Sequence, residues 1–86
     1  MTSTELQGVL NTATKLFTTA GNASRMGDWA RYFRLMDEAE NALLYVQLKV
    51  TSAGVYHAMR SLKRVLEEHR ELTIELINGT VPKGEA

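Results

Sequence analysis

Cysteine is absent from the 86 residues, proline occurs once, and aromatic residues make up only 7%. Without thiols there can be no disulfide framework, no zinc ribbon, no thiolate-held Fe–S cluster and no cysteine nucleophile, and the chain needs no oxidising compartment. An excess of charge of one sign is missing too. Ten Lys+Arg stand against ten Asp+Glu, which argues against a chain held on nucleic acid or anionic lipid by its overall field. The longest uninterrupted apolar run, Ala42 to Val46, is five residues, far below the roughly 18 to 20 that span a bilayer. No basic region followed by an apolar stretch opens the chain, so the expectation is no secretory signal and a cytoplasmic protein. The Asn-x-Ser/Thr triplets at Asn22 and Asn78 are then idle.

What the chain does have is helical periodicity. Thr2 followed by Glu5 fits a capping box, in which each side chain accepts from a backbone donor that the first turn cannot pair. Apolar residues then fall at Leu6, Val9, Leu10, Ala13, Leu16, Phe17 and Ala20, the spacing of one face of a 3.6-residue helix. Gly21 and Asn22 predict its end, with a linker at 24–27. Asp28 is an N-cap candidate for a second helix whose stripe runs through Trp29, Tyr32, Phe33, Met36, Ala39, Leu43, Val46 and Val50. Leu35, Ala42, Leu44 and Leu48 widen that face to more than half the circumference, more than one partner helix can cover. Thr51, Ser52 and Gly54 favour a turn near 51–53, after which Val55, Ala58, Met59, Leu62, Val65, Leu66, Leu72, Leu76 and Ile77 fall on the apolar face of a third helix. Asn78-Gly79 predicts its stop.

The resulting expectation is a single all-α domain over residues 1–86, with helices at about 3–20, 28–50 and 52–78 and a flexible tail at 79–86. A short N-terminal helix packs on a long antiparallel helical hairpin, completed by homodimerisation, because a chain this small buries little surface alone. No run alternates with period two, and no internal repeat occurs.

Charge is uneven along this framework. Residues 51–66 hold Arg60, Lys63 and Arg64 and no acid, while 67–78 hold Glu67, Glu68, Glu71 and Glu75 against Arg70 alone. That order is the reverse of what the helix macrodipole favours, so something outside the third helix should compensate. A turn at 51–53 puts Arg31 and Arg34 level with Glu71 and Glu68, and Asp37, Glu38 and Glu40 level with Arg60, Lys63 and Arg64. An antiparallel homodimer seam along the third helix, centred near Leu66, would oppose the same blocks. Such exposed pairs set register more than stability.

Candidate sites follow from residue type and position. Trp29, Tyr32 and Phe33, interleaved with Arg31 and Arg34, concentrate side chains enriched at interface hot spots, and are the expected contact with a protein partner; as plain structure, the rings would cap the core. His69 lies on the apolar face of the third helix and, with Leu44 and Leu48, is placed in a self-association seam, either fixing register or giving a pH-sensitive contact. His57 and His69 are twelve residues apart and no Glu-x-x-His or His-Glu-x-x-His occurs, so no metal and no cofactor are expected. No Gly-rich phosphate loop or nucleophile elbow is present, and the expectation is a non-enzymatic protein-protein interaction module that regulates, adapts or inhibits a partner by masking its surface.

The main alternative is nucleic-acid binding. Leu48 to Leu62 resembles the turn and recognition helix of helix-turn-helix regulators. Val50 and Thr51 stand at the turn, Val55 is the inward anchor, and Ser52, Tyr56, His57 and Arg60 face the groove. Lys63 and Arg64 extend that basic face. Tyr45 and Lys49 depart from the pattern where the family has a small residue and the turn glycine. The resemblance implies a DNA-binding transcriptional regulator using residues 48–64. Gly27, Asp28 and Trp29, with Ala39 further on, are similar to part of a tetratricopeptide second helix, a single partial unit rather than a repeat array.

Overall fold

The computed structural model describes residues 3–80, and Thr2 of the expected capping box and the tail beyond residue 80 lie outside them. Three helices, α1 (Ser3–Arg25), α2 (Trp29–Lys49) and α3 (Ala53–Thr80), account for 92% of the described residues, with no strand among them. No described helix is long and apolar enough to cross a membrane.

α1 is not the short helix expected. It runs through Gly21 and Asn22 to Arg25 and, at 23 residues, is longer than α2. A mid-helix glycine costs about 1 kcal/mol relative to alanine, but continuing the helix buries Ala20 and Ala23 in the core. The stop comes instead at Gly27, whose φ of +75° only glycine adopts freely. There the Asp28 N–H donates to the Ala23 carbonyl at 2.9 Å and the Gly27 N–H to the Ser24 carbonyl at 3.0 Å, the paired bonds of a Schellman ending. Asp28 then begins α2 by accepting from the Arg31 N–H at 3.3 Å, as its capping chemistry suggests. Val50–Ser52 separate α2 from α3, with the Ser52 carbonyl accepting the first α3 bond from Tyr56. α3 continues through Asn78-Gly79 to Thr80 rather than stopping there.

The buried and half-buried residues share one rhythm. Leu6, Leu10, Ala13, Phe17 and Ala20 on α1, Tyr32, Met36, Ala39, Leu43 and Val46 on α2, and Val55, Met59, Leu62, Leu66, His69 and Thr73 on α3 recur in alternating steps of four and three. This is the 3.5-residue period that keeps a seam facing its neighbours along near-parallel helices. The buried apolar members form one cluster drawn from all three helices.

α1 packs mainly on α2, and α3 contacts both less extensively. Alanines at 13, 20, 23 and 39 are all buried in the α1 and α2 seams, and small side chains at a helix contact shorten the interaxial distance. Ala39→Leu is therefore expected to destabilise by about 1–3 kcal/mol through overpacking, measured by urea unfolding. A neutral result would mean that the seam has room for a larger side chain.

The molecule measures 54 × 21 × 14 Å with a radius of gyration of 15.1 Å, above the roughly 12 Å of a compact chain of this length. A 28-residue helix spans about 42 Å, so the helices are staggered rather than flush.

Candidate interaction surface

The best-defined polar feature is where three helices meet. The Tyr32 hydroxyl of α2 is 2.8 Å from Nδ1 of His69 on α3, and the Thr73 hydroxyl is 3.4 Å from the same nitrogen. Phe17 of α1 meets the imidazole edge-on, at 5.2 Å between centroids. Tyr32 itself is fully buried, with Trp29 and Phe33 packed against its ring at near-perpendicular angles. The hydroxyl and imidazole are paired inside the domain, and no described buried side-chain nitrogen or oxygen lacks a partner.

Beside this junction Arg70 joins α3 to α2. Its Nη2 donates to Asp37 at 2.8 Å and its Nε to Glu40 at 3.0 Å, and the guanidinium lies 5.6 Å from the Phe33 ring centroid. Partial burial pulls the guanidinium pKa down, but the hydrogen bonds and charges of Asp37 and Glu40 outweigh it and raise the value. These contacts revise the expected charge matching. Asp37 and Glu40 pair with the lone base of the acidic half of α3, not with Arg60, Lys63 or Arg64. Arg64 instead pairs with Glu68 of its own helix at 3.0 Å. At 100° per residue Arg70 lies toward the α2 side of α3, whereas Arg64 points outward.

The residues singled out in the sequence are therefore divided. Of the aromatic and basic cluster, Tyr32 is core, Trp29 and Phe33 are half-buried, and Arg31 and Arg34 are exposed. His69 is engaged with Tyr32, Phe17 and Thr73 within the chain, away from Leu44 and Leu48, which are 53% and 74% exposed on α2. In the helix-turn-helix segment Ser52 is half-buried, while Tyr56, His57, Arg60, Lys63 and Arg64 are exposed. Arg60 donates to the Tyr56 hydroxyl at 3.2 Å and lies near its ring. The helices flanking this turn have 21 and 28 residues, far longer than the supporting and recognition helices of that family.

Two apolar areas remain at the surface. On α2, Leu44 and Leu48 lie one turn apart with Tyr45 beside them. Leu44 also borders a cleft of about 410 Å³ lined by Glu40, Leu43, Gln47, Lys63 and Glu67. On α3, Val65, Leu72 and Leu76 are 45%, 65% and 59% exposed. The sequence reading put all three on the buried face; the signal it passed over is a second four-three stripe on α3. No described group of three or more His, Cys, Asp or Glu residues is placed to hold a metal ion.

No protein-family model matches the chain, and neither the curated proteins nor the solved structures give a match.

Proposed function

We propose that the protein is a non-enzymatic protein-protein interaction module of the cytoplasm, acting as a regulator, adaptor or inhibitor by covering a surface of a partner protein. In this reading α2 and α3 form an antiparallel hairpin, supported by the contacts of Tyr32 with His69 and of Asp37 and Glu40 with Arg70. The module also self-associates as a homodimer.

The observation that carries the reading is the outward side of α2. Arg34, Asn41 and Leu48 recur there at seven-residue spacing, all exposed, with Leu44 and Tyr45 between them. An apolar end beside a polar, charged remainder of Arg34, Glu38 and Asn41 is the composition of an interface centre with its rim. Arg31 and Arg34 stay available as the charged part of the partner contact, whereas Tyr32 serves by holding the helix in place.

The test starts with a photo-reactive residue at position 48 to capture the partner, followed by titration of the purified partner. Leu44→Glu/Leu48→Glu is expected to weaken binding by about a hundredfold, as loss of a hot spot does, with helicity unchanged because both side chains are exposed. Unaltered affinity would remove α2 as the docking surface. Salt-dependent duplex binding lost on Arg60→Ala would instead favour the nucleic-acid reading.

A further inference from the structure

We infer that α3 pairs with α3 of a second copy, antiparallel, about a two-fold axis passing close to residue 67. This rests on the self-association part of the proposal above and gives it a surface and a direction.

Beside its buried seam, α3 carries Ala58, Leu62, Val65, His69, Leu72 and Leu76, again in steps of four and three. Leu62 and His69 are half-buried and form the edge shared with the intrachain core. Ala58, Val65, Leu72 and Leu76 are exposed. A helix with two such stripes has the pattern of one that packs on two sides. The stripe also reads the same in both directions: residue 58 is level with 76, 62 with 72, and 65 with 69. An isologous interface requires this reciprocity, since each residue must meet on the partner the residue that meets it.

Apolar spacing alone would also allow a parallel pair, and charge decides between them. The outward flank next to the stripe holds His57, Arg64, Glu68 and Glu75, all exposed. In a parallel pair the two-fold axis runs along the helices and sets this flank of one copy against the opposite flank of the other, that of Met59, Leu66 and Thr73, which the intrachain core already buries, so its charges meet no opposite charge there. The antiparallel pair brings Arg64 of one copy within about one turn of Glu68 of the other. The two existing Arg64–Glu68 ion pairs then close into a ring of alternating sign at the two-fold axis. His57 lies within about one turn of Glu75 of the other copy. Lys63, which lines the cleft on the α2 side, takes no part.

The absence of cysteine makes this testable by cross-linking. Light scattering of the full chain is expected to give twice 9.6 kDa. Ala58→Cys and Leu76→Cys, both at exposed positions, should form a disulfide when the two variants are mixed and none when each is oxidised alone. Leu72→Glu should raise the dimer dissociation constant by about tenfold or more, the effect of a hot-spot substitution, with the helical circular dichroism retained. Disulfides formed by each variant alone would establish the parallel pair and overturn the proposal. A dimer without the 58–76 disulfide, dissociated by Leu44→Glu/Leu48→Glu, would move the seam to α2 and leave self-association standing. A monomer at every concentration would remove both.

Discussion

Tyr32→Ala is expected to lower the free energy of unfolding by about 3–5 kcal/mol, the range for removing a large buried aromatic side chain. A domain of this length has about 4–13 kcal/mol in total, so much of the population should be unfolded in moderate urea. The effect has two separable sources. The ring is fully buried and packs with Trp29, Phe33 and His69, and its loss leaves a cavity where α2 meets the other helices. The hydroxyl is the closest hydrogen-bond partner of the His69 Nδ1, at 2.8 Å. Tyr32→Phe removes only the latter and should cost about 0.5–1.5 kcal/mol. Urea unfolding of both variants provides the comparison. Equal losses would show that the hydroxyl, not the ring, anchors the junction.

This residue also shows how far the sequence could be read. Trp29, Tyr32 and Phe33 stood out as a cluster, but periodicity places all three on one broad apolar face and does not say which is deepest. The junction around Tyr32 joins it to His69, 37 positions away, which Phe17 of α1 meets edge-on in turn, and no local pattern encodes those contacts. The three-helix, all-α class was legible because apolar spacing is a local property repeated over many turns. The end of α1 was not, since Gly21 and Gly27 offer the same backbone freedom. Burial of Ala20 and Ala23 decides between them, and burial is tertiary. Charge was legible as blocks but not as partners. Arg70, the one base in an acidic stretch, reaches Asp37 and Glu40 because its angular position turns it toward α2. On the candidate surface, Leu44 and Leu48 were singled out from the excess width of the α2 stripe. Val65, Leu72 and Leu76 share one broad apolar face with the buried seam of α3, and spacing alone does not say which part of that face a neighbouring helix covers.

Leu66→Ala is expected to cost about 2–5 kcal/mol and to act on α3 before the rest of the domain. Leu66 is fully buried midway along α3, between the Val55–Met59 end of its seam and the His69–Thr73 end. α3 contacts the other two helices less extensively than they contact each other, so this side chain supplies a larger share of the attachment of its helix than Leu43 does for α2. The polar contacts of Arg70 cannot replace it. The carboxylates they reach are partly exposed, and such pairs contribute only about 0–1 kcal/mol each. Hydrogen exchange should therefore show α3 amides losing protection while those of α1 and α2 keep theirs, the behaviour of a helix that opens as a local unit. Uniform loss over all three helices would mean that the domain opens only as a whole. With α3 paired as proposed, raising the protein concentration should restore protection to α3 in the variant, because a second copy that binds only the docked helix would stabilise it by mass action. Leu72→Glu in the same background should abolish that recovery, since it would remove the proposed intermolecular seam and leave the intrachain core of α3 as it was.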